Sequence, residues 1–120
     1  MGYPGGRRCV GSFAIGEVVL IPFPFTNQNG SKVRPAIVVS GVPGDDNILC
    51  AVTSQCPHVI PGVEILEQDF ASGSLRLEPS YALPSKLLVA EDSLIRRAVG
   101  TLEPRKISEI RAAIKTLFED

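Results

Sequence analysis

The sequence has no tryptophan, a single histidine, a single methionine and few aromatic residues, 6% in all. With His58 as the sole histidine, a two-histidine acid/base pair within one chain is excluded. The three cysteines, Cys9, Cys50 and Cys56, form neither an even disulfide framework nor a zinc-ligand spacing, and they read as reduced thiols. No HExxH motif, CxxC pair or phosphate-cradling P-loop pattern occurs. Gly2, Gly5 and Gly6 precede no strand-to-helix turn, so a nucleotide-binding fold has no support. Long apolar runs are also missing. Gly11, Ser12 and Gly16 interrupt the stretch after Arg7 and Arg8, and Val18 to Phe25 is short and holds two prolines. A cytoplasmic protein without a membrane span is the expectation. The formal net charge is −1, so bulk charge gives no argument for a polyanion partner, and any such partner has to meet a local basic patch.

What is present points to β-structure. Ten prolines and eleven glycines in 120 residues suit many turns and short strands within one domain. Residues 1–13 read as a flexible arm and residues 14–120 as the folded domain. Strands are expected at Glu17 to Phe23, Val33 to Ser40, Asn47 to Ser54, Gly62 to Leu66, Ser80 to Leu83, Lys86 to Glu91 and Ile95 to Leu102. Thr26 to Lys32 reads as a loop, and Glu67 to Ser74 as a polar connection. In the last segment Ile107, Ile110, Ile114, Leu117 and Phe118 recur at helical spacing after Pro104, which suits a first helical turn. The fold class is mainly β with a C-terminal helix sealing one side of a small barrel.

Arg34 stands out because Pro35 follows it. A residue before proline is pushed into an extended conformation, so the backbone of Arg34 is set as the chain enters a strand. The turn-rich Gly41 to Asp46 joins this strand to the next as a hairpin. If Ser40 pairs with Asn47 and no bulge intervenes, Arg34 stands opposite Thr53 on one face, and a one-residue slip would part them. A guanidinium and a hydroxyl at one point can bind a phosphate and stabilise the extra charge of a pentavalent transition state. The plain alternative is a surface-pairing arginine and an ordinary β-branched strand residue.

The segments GEVVLIPFPFTNQNGSKVRPAIVVS and AVTSQ, with LIRRAVGTL and the closing helix, resemble the MazF/PemK (Kid) toxins of bacterial toxin–antitoxin systems. The resemblance spans roughly Gly16 to Phe118. It implies an SH3-like barrel, a homodimer, and a cofactor-free, metal-independent endoribonuclease that cuts single-stranded RNA at short sequences. The RNA's own 2′-hydroxyl would attack the adjacent phosphate, leaving a 2′,3′-cyclic phosphate and a 5′-hydroxyl. The family's catalytic arginine falls on Arg34 and its catalytic hydroxyl on Thr53. Ser54 and Gln55 follow as neighbours in phosphate or base contact, Thr26 to Lys32 matches a loop that helps cover RNA, and Ser80 matches a further substrate position. A cognate antitoxin with a disordered segment is also implied. The N-terminal arm and the mildly acidic balance depart from the family's pattern.

Other residues carry two readings each. Phe23, Phe25 and Tyr81 are the aromatic candidates for stacking on unpaired bases, or else core and turn packing. Lys32, Arg34, Lys86, Arg96 and Arg97 could form a local basic footprint, or stand as solvated charges. His58 could assist proton transfer or lie exposed in a loop. Cys50 alternates away from Thr53 and reads as a small core residue or, less aptly, as a nucleophile. Two competing functions use the same scaffold: a gyrase-binding toxin of the CcdB type, made less apt by the missing tryptophan, and an inactive barrel that only binds RNA or antitoxin.

Overall fold

A computed structural model describes residues 13–23, 32–42, 44–76 and 78–119. The expected N-terminal arm, apart from Phe13, lies outside the described residues, as do Phe25, Thr26 and the loop up to residue 31. Among the described residues seven strands precede one helix: β1 (Glu17–Phe23), β2 (Lys32–Gly41), β3 (Asp46–Thr53), β4 (Val63–Ile65), β5 (Phe70–Gly73), β6 (Ser80–Glu91), β7 (Arg97–Leu102) and α1 (Pro104–Thr116). All strand pairs are antiparallel, and the order β4-β6-β3-β2-β1-β7-β5 makes one sheet curled into a half-barrel.

The middle of the sheet is covered on both faces, which is why its strands read as nearly continuous apolar runs. Neighbouring residues of one strand feed opposite sides. Val18, Ile37, Val39, Cys50 and Val52 join one buried cluster, and Val19, Ile21, Ala36, Val38, Leu49 and Ala51 join the other. Helix α1 packs on the first of these faces through Ile107 and Ile110. Ile110 is fully buried, which stabilises the docked helix by about 1.5–3 kcal/mol.

Polar contacts fix the helix in place. Lys106 Nζ donates to the carbonyl oxygen of Glu64 in β4 at 3.1 Å and to Glu109 Oε1 at 2.8 Å. Asp69, in the 3₁₀ turn Glu67–Asp69, accepts the Leu66 N–H at 2.8 Å and pairs with Arg105 at 2.9 Å. Burial by itself would raise the Asp69 carboxyl, but the Leu66 N–H, the Arg105 guanidinium and the Lys106 ammonium outweigh it and hold the carboxyl below its ordinary range.

Three sequence expectations are corrected. Ser40 pairs with Ile48 rather than Asn47, and a bulge between Val38 and Ser40 then shifts the ladder by one residue. The runs Ser80 to Leu83 and Lys86 to Glu91 form the single strand β6. Four of its residues, Leu83 to Lys86, oppose Ala51 alone, so Pro84 sits in a bulge where its missing N–H breaks no ladder bond. The polar connection Glu67 to Ser74 contains β5, which pairs with β7. That pairing depends on close backbone approach. A Cβ on Gly73, whose φ is +71°, would collide with the Val99 carbonyl oxygen and meet Gly100 Cα at 2.5 Å.

Candidate functional site

Arg34 lies near the start of β2, where its backbone pairs with Ile21 of β1. The β2–β3 ladder closes with Ala36 opposite Ala51. Continued two residues along both strands, that register brings Arg34 level with Thr53. Strand alternation puts both on the face of Ala36 and Ala51, opposite the one α1 covers. Pro35, just beyond the last paired residue, has no N–H to extend the ladder. Arg34 is exposed and Thr53 half-buried, so the guanidinium and the hydroxyl stand at an open strand end with access to solvent.

The Thr53 hydroxyl is oriented by its own chain. The backbone N–H of Gln55 donates to Thr53 Oγ1 at 3.1 Å, which occupies one lone pair and leaves the hydroxyl hydrogen to donate outward. Ser54 and Gln55 are both exposed beside it. Lys32 is exposed two residues before Arg34, on the same face by strand alternation. These five residues, Lys32, Arg34, Thr53, Ser54 and Gln55, lie at the same end of β2 and β3, beyond the last paired residues Ala36 and Ala51. Of the other sequence candidates, Thr26 falls outside the described residues.

Ser80 lies apart from these five residues. It pairs with Ile65 of β4 next to buried Ala82, and it is 1% exposed on the α1 side of the sheet. The side chain at this position faces away from Thr53 because Tyr81 takes the outward place. Tyr81 stands directly opposite Thr53 on β3 and directly opposite Glu64 on β4. Sequence reasoning named Tyr81 only as an aromatic and missed Glu64. The period-2 pattern of Val63, Glu64 and Ile65 was the available signal, but which strand β4 would join was not written in it.

After β3 the chain comes back beside Tyr81 at Gly62. Gly62 packs so tightly there that a Cβ would meet Pro57 Cγ at 2.5 Å and Tyr81 Cβ at 3.6 Å. A hydrogen bond with Cys56, some loss of solvent, and the nearby Glu64 carboxylate together raise the Tyr81 phenol above its ordinary value. Cys56 is exposed, whereas Cys50 is buried on the other face, where its thiol donates to the Leu83 carbonyl oxygen at 3.3 Å. Burial pushes the Cys50 thiol up to about 11.

Arg97 pairs with Leu20, on the face away from Arg34, so it does not share that surface. Lys86, Arg96 and His58 are exposed, and Phe23 ends β1. Among the described residues no group of three His, Cys, Asp or Glu side chains is placed to hold a metal ion. No helix among them is long and apolar enough to cross a membrane. A guanidinium, an oriented hydroxyl and an ammonium on one open surface can bind and polarise a phosphate.

No curated protein sequence matches the chain. Among solved structures it is similar to a crystal structure of MazE–MazF (form III) from Deinococcus radiodurans, with a TM-score of 0.60 and 19% identity, over 86% of this chain and 92% of that one. At that identity the likeness speaks for the fold. A family model described as a PemK-like, MazF-like toxin of type II toxin–antitoxin systems matches residues 14–118. That match runs from before β1 to the end of α1 and takes in every strand around Arg34 and Thr53, so the chain belongs to the PemK-like, MazF-like toxin family of type II toxin–antitoxin systems.

Proposed function

We propose that this toxin is a metal-independent endoribonuclease that cuts single-stranded RNA. The RNA's 2′-hydroxyl attacks the adjacent phosphorus, the bond to the 5′-oxygen breaks, and the products are a 2′,3′-cyclic phosphate and a 5′-hydroxyl. Arg34 binds the phosphate with its planar fork of donors and stabilises the negative charge that builds on the non-bridging oxygens. Thr53 donates its hydroxyl hydrogen to the same group, held in position by the Gln55 N–H. Lys32, Ser54 and Gln55 extend the contact along the backbone. The observation that supports this reading is the β2–β3 register, which, continued two residues past Ala36 and Ala51, carries Arg34 level with Thr53.

Incubating the purified protein with a long unstructured RNA in EDTA, beside an Arg34→Ala variant, tests it. Cleavage by the wild type that the variant loses is the expected result. An intact RNA, or cleavage undiminished in the variant, would overturn the reading.

The same proposal includes a homodimer and an antitoxin whose extended segment covers the Arg34 surface, in keeping with the family and with a structural neighbour solved as MazE–MazF. Co-expression with a neighbouring short acidic reading frame should suppress both toxicity and cleavage. One observation favours a protein-binding toxin instead: Leu117 and Phe118 are 41% and 77% exposed at the end of α1. A gyrase pull-down that succeeds with the full chain and fails after deletion of residues 118–120 would support it.

A further inference from the structure

Arg34, Thr53, Tyr81 and Glu64 occupy successive strands, β2, β3, β6 and β4, on one face of the sheet. At a strand spacing of about 4.8 Å the row runs about 14 Å, with positive charge at the Arg34 end and negative charge at the Glu64 end. A phosphate settles at the first end. The carboxylate at the other end repels phosphate and, being an acceptor only, recruits N–H donors. Between them stands the half-buried Tyr81, whose Cβ a Cβ on Gly62 would meet at 3.6 Å. An aromatic side chain has only two χ angles to restrict when a flat group stacks on it. The strand that carries the carboxylate is steadied, since Lys106 of α1 donates to the Glu64 carbonyl oxygen at 3.1 Å.

We propose that Tyr81 and Glu64 form a base subsite beside the scissile phosphate, Tyr81 stacking on one unpaired base and Glu64 selecting an amino-bearing base. Adenine, cytosine and guanine each present an exocyclic amino group to a carboxylate. Uracil offers a single N–H flanked by two carbonyl oxygens that repel it. The subsite makes Tyr81 and Glu64 specificity-determining residues of the toxin. It rests on the ribonuclease reading for its biological meaning, but not for its test.

The test is binding of short oligo(dC) and oligo(dU), followed by fluorescence anisotropy. These probes differ at the base edge and lack the 2′-hydroxyl needed for cleavage. Wild type is expected to bind oligo(dC) more tightly than oligo(dU). Glu64→Gln, whose amide can donate as well as accept, is expected to bring the two within twofold. Tyr81→Phe keeps the ring and should keep the affinity, while Tyr81→Leu should weaken both probes by about tenfold or more. Thermal unfolding of each variant separates lost binding from lost fold, and exposed Glu64 supplies the variant least able to disturb packing.

Equal binding of the two probes by wild type, a preference that survives Glu64→Gln, or full binding by folded Tyr81→Leu would overturn the subsite. So would Tyr81→Phe binding as poorly as Tyr81→Leu, or no binding by wild type at all. The two readings fail separately. A chain that shows these dependencies but leaves RNA intact keeps the subsite and loses the ribonuclease, whereas one whose RNA cleavage pattern is unchanged in Tyr81→Leu and Glu64→Gln keeps the ribonuclease and loses the subsite.

Discussion

The backbone N–H of Gln55 donates to Thr53 Oγ1 at 3.1 Å, so the chain that leaves β3 orients the hydroxyl that ends it. Replacing Thr53 by valine keeps the β-branched shape and removes only the oxygen. RNA cleavage is expected to fall on the order of 100-fold or more while the thermal midpoint stays nearly unchanged. Thr53→Ser, which keeps the oxygen, should retain most activity. A valine variant that cleaves normally would remove Thr53 from the chemistry.

Arg34 is exposed, so its replacement should cost little stability, within about 0.5 kcal/mol by urea unfolding. Arg34→Lys preserves the charge but not the planar fork of donors, and it is expected to recover only a small part of the activity lost in Arg34→Ala. Single-turnover cleavage of a short RNA measures the difference. Equal rates for lysine and arginine would mean that charge alone suffices.

The two described cysteines should separate cleanly on thiol labelling. Cys50 is buried with its thiol raised to about 11, so almost none of it is thiolate at neutral pH. Iodoacetamide followed by peptide mass mapping should mark Cys56 in the folded protein and reach Cys50 only after denaturation. Prompt labelling of Cys50 in the native state would contradict the packing of that face.

Asp69 sets a pH dependence of stability. Its carboxyl lies below its unfolded value, so the folded state binds the proton less readily than the unfolded chain does. The resulting stabilisation is fully present above the ordinary aspartate value near ~4 and is lost as pH falls through the lower folded value. Asp69→Asn should therefore be destabilised by about 2 kcal/mol at neutral pH and differ less from wild type as the solution becomes strongly acid. Urea midpoints at several pH values test this, and a difference that grows toward acid would have the wrong sign.

Among the described glycines Gly73 is the one where an added methyl group meets the closest atoms. Its φ of +71° disfavours any L side chain, and the space a Cβ needs is taken by the β7 backbone at Val99 and Gly100. Gly73→Ala is expected to lower stability by about 2 kcal/mol or more, combining backbone strain with a clash that only strand separation relieves. A thermal midpoint equal to that of wild type would show that β5 is free to move away from β7.

Much of the fold was legible because its signals are local. The apolar runs of β1, β2 and β3 reflect a sheet covered on both faces, and the spacing of Ile107 and Ile110 marks the helix face that packs on one of them. β5 was missed because Ala71, Ser72 and Gly73 are exposed and unpatterned, and only pairing with β7, distant in sequence, joins them to the sheet. Pro84 suggested a break in β6 because a proline's lost donor is visible in sequence, while the bulge that tolerates it is not.

By itself the sequence determined the extended backbone of Arg34 through Pro35, the β-rich segments around it and the closing helix, since each depends on a residue's near neighbours. Tertiary structure alone decided which of these residues meet. The bulge between Val38 and Ser40 resets the ladder so that Ala36 faces Ala51 and Arg34 comes level with Thr53. Pairing of β6 with both β3 and β4 turns Tyr81 and Glu64 outward beside them and buries Ser80 on the other side. The reason is physical: a strand's period of two fixes which residues share a face, but only packing between strands distant in sequence fixes the register that brings one face of each strand against its neighbours.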